Sequence, residues 1–130
     1  MSEPTLTSTV ARGATILVVD DEAPVRRLTQ RCLEKNGYRV LVATNGQEAL
    51  QLFETHQQVI QLVLTDIMMP VMGGVEFAQA LHRLAPEMRV IGASGLEVSA
   101  ADGIEELLNK PFTVDELIAA VSRQLQRSTL

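Results

Sequence analysis

Short runs of branched apolar residues alternate with amphipathic stretches from Thr15 to the end of the chain. "ILVV", residues 16–19, is brief enough for a strand and unbroken enough for one buried on both faces. The pattern predicts a first strand over Thr15–Asp20. Helix one follows, with Pro24 in its first turn, Val25, Leu28, Cys32 and Leu33 on one stripe, and Asn36-Gly37 as its stop. Strand two is Arg39–Ala43. Helix two starts near Asn45 and buries Ala49, Leu50, Leu52 and Phe53. Strand three is Leu62–Thr65, ending at Asp66. "MPVMGG" turns the chain into helix three, where Phe77, Ala80, Leu81 and Leu84 recur at i, i+3, i+4 and i+7 before Pro86 ends it. Strand four, Arg89–Ala93, ends at Ser94, and strand five is the short run Leu107–Asn109, ending at Lys110. "TVDE", Thr113–Glu116, is a capping box for the last helix, with Val114, Leu117, Ile118, Val121 and Leu125 on its inner stripe.

Strand–helix units in this succession imply an α/β fold: a five-stranded parallel sheet with helices on both faces, in the flavodoxin-like order 2-1-3-4-5. That domain is assigned to residues 14–130. Residues 1–13, opening "MSEPTLTSTVAR", are small and polar and read as a flexible lead-in or linker without the apolar stretch of a signal peptide. Composition changes little in this picture: 46% hydrophobic and 21% charged residues are ordinary for a globular domain. No apolar run approaches the ~20 residues of a membrane helix, so no membrane contact is expected. The net charge of −5 has no basic cluster beside it, which argues against nucleic-acid binding by this domain. A single cysteine, Cys32, excludes an internal disulfide and fits a reducing, cytoplasmic setting.

Candidate chemistry lies where the strands stop. In open parallel sheets the binding crevice is beyond the carboxyl ends of the strands. Asp20 and Asp21 follow strand one, Asp66 strand three, Ser94 strand four and Lys110 strand five. The chain has five aspartates and two lysines, and three of the former and one of the latter share that edge. Adjacent carboxylates repel and are costly to desolvate unless a cation is near. A hard divalent ion such as Mg²⁺, with Mn²⁺ as an alternative, takes oxygen ligands of this type. With two acids neutralised, the third is free to attack a phosphoryl group, while Lys110 supplies a point charge and Ser94 a hydroxyl for its oxygens.

These residues resemble the receiver domain of two-component response regulators. The likeness runs from about Thr15 to Gln126 and is carried by "ILVVDDEAPVR", "LVLTDIMMPVMGG", "RVIGASG" and "NKPF". It implies that Asp66 is the phosphoacceptor, that Asp21 contacts Mg²⁺ directly with Asp20 beside it, and that Asp66 and the backbone carbonyl of Met68 complete the protein's ligands. It also implies that Ser94 and Lys110 are the family's hydroxyl and lysine, that the Lys110-Pro111 bond is cis, and that small Gly95 leaves room for the phosphoryl group. The phosphate would come from a histidine kinase or a histidine phosphotransfer protein.

Three departures from the family pattern stand out. The aromatic residue usual three positions before the lysine is Leu107, read as an ordinary buried strand leucine. Ser94 and Lys110 are only 16 positions apart, and Asp102-Gly103 interrupts the crossover between them, so the fourth helix is expected to be short or missing. Met68 and Leu96 place apolar side chains where polar ones promote dephosphorylation, which predicts slow loss of phosphate. His56 and His82 read as solvated surface, Cys32 as core filler, and Met68, Met69 and Met72 as packing around the turn.

The leading function is therefore a phosphoacceptor signalling module that switches conformation, and not an enzyme beyond its own phosphorylation and slow autodephosphorylation. One alternative is an Mg²⁺-dependent phosphatase with an aspartyl-phosphate intermediate, resembling the haloacid dehalogenase family. It needs a second aspartate two residues after the nucleophile, where Met68 stands. A flavin or nucleotide binder would present small or hydroxyl residues in place of "DDEAP". A pseudo-receiver, acting only through protein contacts, is the remaining alternative. The chain is expected to be either a single-domain regulator or the C-terminal receiver of a hybrid histidine kinase, with the polar lead-in and shortened crossover favouring the hybrid.

Overall fold

The computed structural model describes residues 13–95 and 103–128. Five parallel strands, β1 (Thr15–Val19), β2 (Arg39–Ala43), β3 (Ile60–Asp66), β4 (Val90–Ser94) and β5 (Glu106–Asn109), form one sheet in the order β2-β1-β3-β4-β5. Among the described residues the helices are α1 (Ala23–Lys35), α2 (Gly46–His56), α3 (Gly74–Leu84) and α4 (Val114–Ser128). The expected strand order is the observed one. β3 starts two residues earlier than Leu62, and β1 stops at Val19 so that Asp20 already belongs to the turn.

Alternation along the strands divides the core. Ile16, Val18, Leu62, Leu64 and Ile91 face Leu33 of α1 and Leu117, Val121 and Leu125 of α4. Leu17, Val19, Val63 and Val90 face Phe53 of α2 and Phe77 and Leu81 of α3 on the other side. The central strands are thus apolar on both faces because both faces are covered, and β1 is buried at every position. Three stripes differ from expectation: in α3 Leu84 is exposed and Ala78, not Ala80, is buried beside Phe77 and Leu81. In α1 the inward positions are Thr29 and Leu33, with Val25 and Cys32 half-buried, whereas Leu28 is 63% exposed. Val114 opens α4 outside the core and is also exposed.

Local chemistry sets the ends. Pro24 stands in the first turn of α1, and Gly37 takes a positive φ of 91° just past its last residue. Asn45 caps α2 by accepting from the Glu48 N–H at 2.9 Å. The capping box of α4 is complete: Thr113 Oγ1 accepts from Glu116 N at 3.0 Å, and Glu116 Oε1 accepts from Thr113 N at 2.8 Å. The expectation of a short or missing fourth helix concerned the β4–β5 crossover. Residues 96–102 of that crossover lie outside the described residues, and Gly103–Glu105 are non-helical. The fourth helix in chain order, α4, is present at 15 residues. Of the expected lead-in, residues 1–12 likewise lie outside the described part, and its last residue, Gly13, donates from its N–H to the Gly37 carbonyl at 2.6 Å.

Candidate functional site

The carboxyl ends of β1, β3, β4 and β5 bring the expected residues together. Asp20, Asp21 and Asp66 each present a carboxylate oxygen within 4.8 Å of the others. Asp20 and Asp66 are only 6% and 7% exposed, and Asp21 is exposed. Lys110 reaches in from the end of β5, with Nζ 3.3 Å from Asp20 Oδ2, 3.2 Å from Asp66 Oδ2 and 3.9 Å from Glu22 Oε1. The Lys110-Pro111 peptide is cis, as the resemblance implied. Ser94, buried at the end of β4, accepts the Lys110 N–H on its carbonyl at 2.8 Å, tying β4 and β5 together beside the acids.

Backbone contacts fix the two buried acids. Asp20 N donates to Ala43 O at 3.1 Å, and its Oδ1 accepts from Glu22 N at 2.9 Å, so its side chain caps its own turn. Beyond Asp66, Ile67 N donates to Ala93 O and Gly74 N to Ile67 O, both at 2.9 Å. The first residue of α3 therefore lies against the end of β3. A Cβ on Gly74 would overlap the Asp66 carbonyl and sit 2.9 Å from Ile67 Cα, so only glycine fits.

Burial pushes the Asp66 carboxyl above its ordinary pKa. Lys110 and the Met68 N–H pull it back, and the Asp20 charge raises it further. For Lys110, burial works against the charge, but Asp20 and Asp66 outweigh it and its pKa is raised. The site thus holds two desolvated acids around one ammonium, with a third acid at the solvent edge. Oxygen donors in this number and spacing suit a hard divalent cation, and the donor set contains nothing soft that would favour another metal.

The profile of the response regulator receiver domain family matches residues 16–122. This chain is a member of that family. Its sequence is 33% identical over 121 residues to the sensor kinase CckA of Brucella abortus, covering 88% of this chain and 13% of that protein. It is 36% identical over 124 residues to the phosphate regulon regulator PhoB of Pseudomonas aeruginosa, covering 89% of this chain and 53% of that one. The receiver therefore spans about half or less of the length of these curated relatives. Among solved structures, the receiver domain of the hybrid histidine kinase CckA superposes with a TM-score of 0.77 at 34% identity, over 86% of this chain and 99% of that one. TrrA of Thermotoga maritima, solved with Mg²⁺ and BeF, gives 0.78 at 32% identity over 85% and 97%. Receiver domains are signalling modules that bind Mg²⁺ at an acidic pocket and interact with histidine kinases or phosphotransfer proteins.

Other expectations sort by position. Leu107 packs half-buried against the α2/α3 side of the core, as an ordinary strand leucine does. Met69 and Met72 pack there too, but Met68 is 60% exposed and is no part of that packing. Leu96 lies outside the described residues. Neither histidine is simply solvated: both are half-buried, His56 with Nδ1 3.1 Å from the Leu52 carbonyl and His82 with Nε2 2.8 Å from the Met88 carbonyl. Two features of the receiver site had no place in the sequence reading. Arg26, one turn into α1, donates from Nη1 to the Asp20 carbonyl at 2.8 Å. Val71, in the turn after Asp66, has φ of 68°, a left-handed conformation that branched residues rarely adopt. A long cation shortly after paired acids was the available signal for the first, and Val between Pro70 and Met72 gave none for the second.

Among the described residues no helix is long and apolar enough to cross a membrane.

Proposed function

We propose that this chain is a cytoplasmic phosphoacceptor that takes a phosphoryl group from a phosphohistidine donor onto Asp66 and switches conformation in response. The observation that carries the reading is Lys110 Nζ bridging Asp20 and Asp66 within the three-carboxylate cluster at the sheet's carboxyl edge. Asp21, Asp20, Asp66 and the Met68 carbonyl would hold Mg²⁺. When bound, the ion supplies the positive charge that lets the acids and the phosphoryl oxygens share one small volume.

An Asp66 carboxylate oxygen attacks phosphorus as the P–N bond of the donor breaks, and the leaving imidazole nitrogen keeps the electron pair and takes up a proton. Lys110 follows the charge: its ammonium, held on two carboxylates beforehand, donates to a phosphoryl oxygen once Asp66 has become the acyl phosphate. Ser94 offers its hydroxyl to a second oxygen from the adjacent strand end. The exposed, apolar Met68 beside Asp66 does nothing to orient an attacking water, so the phosphate is lost slowly. Met68 also occupies the place where a phosphatase of this chemistry would need its acid. The donor is a histidine kinase or histidine phosphotransfer protein, and neither nucleic acid nor a membrane is a partner of this domain.

The test is intact-mass measurement after incubation with Mg²⁺ and acetyl phosphate. A gain of one phosphoryl group, lost in Asp66→Asn and suppressed by chelator, is expected. No gain, or an undiminished gain in the variant, would remove Asp66 from this role and leave a module acting through protein contacts alone.

A further inference from the structure

We propose that Arg26 is a positioning residue for the metal-binding turn, its guanidinium clamping the peptide that joins Asp20 to Asp21. This rests on the phosphoacceptor reading above and deepens it. Regular pairing of β1 with β2 ends at Val19 and Ala43, and Asp20 adds one last bond through its N–H. Its carbonyl, in a residue 6% exposed, is past the end of that ladder. A buried carbonyl without a partner is costly, and Arg26 Nη1 is the partner at 2.8 Å. The arginine is itself anchored in the first turn of α1, where its N–H donates to the Glu22 carbonyl at 2.9 Å.

The clamped oxygen belongs to the planar peptide between the two acids. Its orientation therefore fixes the backbone from which the Asp21 side chain departs. That matters because the Asp21 carboxylate makes no hydrogen bond or ion pair among the described residues, whereas Asp20 is held at N, O, Oδ1 and Oδ2. Asp21 must be placed through its main chain. The Glu22 N–H on Asp20 Oδ1 closes the turn from one side, and Arg26 holds it from the other.

Positioning and simple charge predict opposite signs. Guanidinium is always cationic, so as a bare charge beside the acids it would oppose a divalent ion, and its removal would tighten binding. As a clamp, its removal frees the Asp20–Asp21 peptide and loosens binding.

The experiment is isothermal titration of the full chain with Mg²⁺ for wild type, Arg26→Met and Arg26→Lys, well below each melting temperature. R26M is expected to bind Mg²⁺ roughly five- to ten-fold more weakly, the effect of one lost charge-assisted hydrogen bond. R26K, which keeps a donor, should recover part of the loss. Acetyl phosphate labelling of R26M should slow at low Mg²⁺ and return to the wild-type rate at saturating Mg²⁺. Should R26M fail to fold, Arg26→Gln, shorter and neutral, carries the same expectation. Wild-type binding together with equal or tighter binding by the neutral variant overturns the clamp alone. Absence of Mg²⁺ binding by wild type overturns the phosphoacceptor reading and the clamp with it.

Discussion

Replacing Lys110 with Met removes the ammonium that faces both buried acids while keeping much of its aliphatic stem. Nζ lies 3.3 Å from Asp20 and 3.2 Å from Asp66. Unit charges at that range attract by about 5 kcal/mol each at an effective dielectric of about 20, and by little more than about 1 kcal/mol in bulk water. Lys110 is half-buried, so each pair falls between those limits, and the returned solvation of the ammonium offsets part of the gain. The raised pKa of Lys110 shows which side wins: burial disfavours its charge, but the two acids outweigh burial. A net loss of ~1–3 kcal/mol is expected for K110M in chelator, lowering Tm by roughly 4–15 °C for a domain of this size.

The pH dependence has a definite sign. A lysine with a raised folded pKa contributes stability that is complete below its unfolded pKa and lost as pH rises through the folded one, so at neutrality its contribution is whole. Burial raises the Asp66 pKa, so Asp66 imposes a penalty at neutral pH that is relieved as pH falls through its folded pKa towards the unfolded value. Without Lys110 that pKa rises further, and the relief begins at higher pH. Thermal melts followed by circular dichroism in chelator should therefore show a gap between wild type and K110M that narrows from pH 7 towards about pH 5. A K110M melt at or above wild type at neutral pH would refute the charge balance. So would a gap that widens on acidification.

Two further substitutions test the turn that follows Asp66. Val71 is 74% exposed with φ of 68°, so Val71→Asn gives up little burial and relieves about 1 kcal/mol of backbone strain. Its Tm should rise by a few degrees, and an unchanged or lower Tm would show that Val71 is not strained. Gly74→Ala should do the reverse, because its methyl would meet Ile67 Cα at 2.9 Å and force the end of β3 to move. A loss of ~1–3 kcal/mol in urea unfolding, with slower labelling by acetyl phosphate, is expected, and wild-type values for both would show that α3 can yield.

The strand ends were legible in the sequence because each strand passes abruptly from branched apolar residues to a polar group. "ILVV" into Asp20, "LVLT" into Asp66, and Leu107-Leu108-Asn109 into Lys110 all mark the same edge. Parallel order then followed from the intervening helices. The inward stripe of α1 was less legible: Leu28 has the right chemistry and the wrong angle, while Thr29, a polar residue, takes the buried position. Periodicity counts apolar residues, and it cannot see a threonine that replaces one. Arg26 escaped for a related reason. Its target is a backbone carbonyl, which every residue possesses and which leaves no mark in a side-chain pattern.

The three acids share one cluster but not one environment, and that asymmetry bears on their proposed division of labour. Asp20 is buried and held at every polar atom, which suits a fixed support. Asp21 is exposed, which suits an open ligand that a hydrated ion can reach. Burial raises the Asp66 pKa, and a desolvated carboxylate of raised pKa is the stronger nucleophile. The burial that makes Asp66 a liability to the metal-free fold is thus the property that phosphoryl transfer would use. Lys110 keeps that liability affordable in the resting state by bridging to Asp20. Transfer to Asp66 would change what the ammonium faces, from a carboxylate to a phosphoryl group. Because Lys110 N also bonds the Ser94 carbonyl, the ends of β4 and β5 are tied together at the residue whose partner would change.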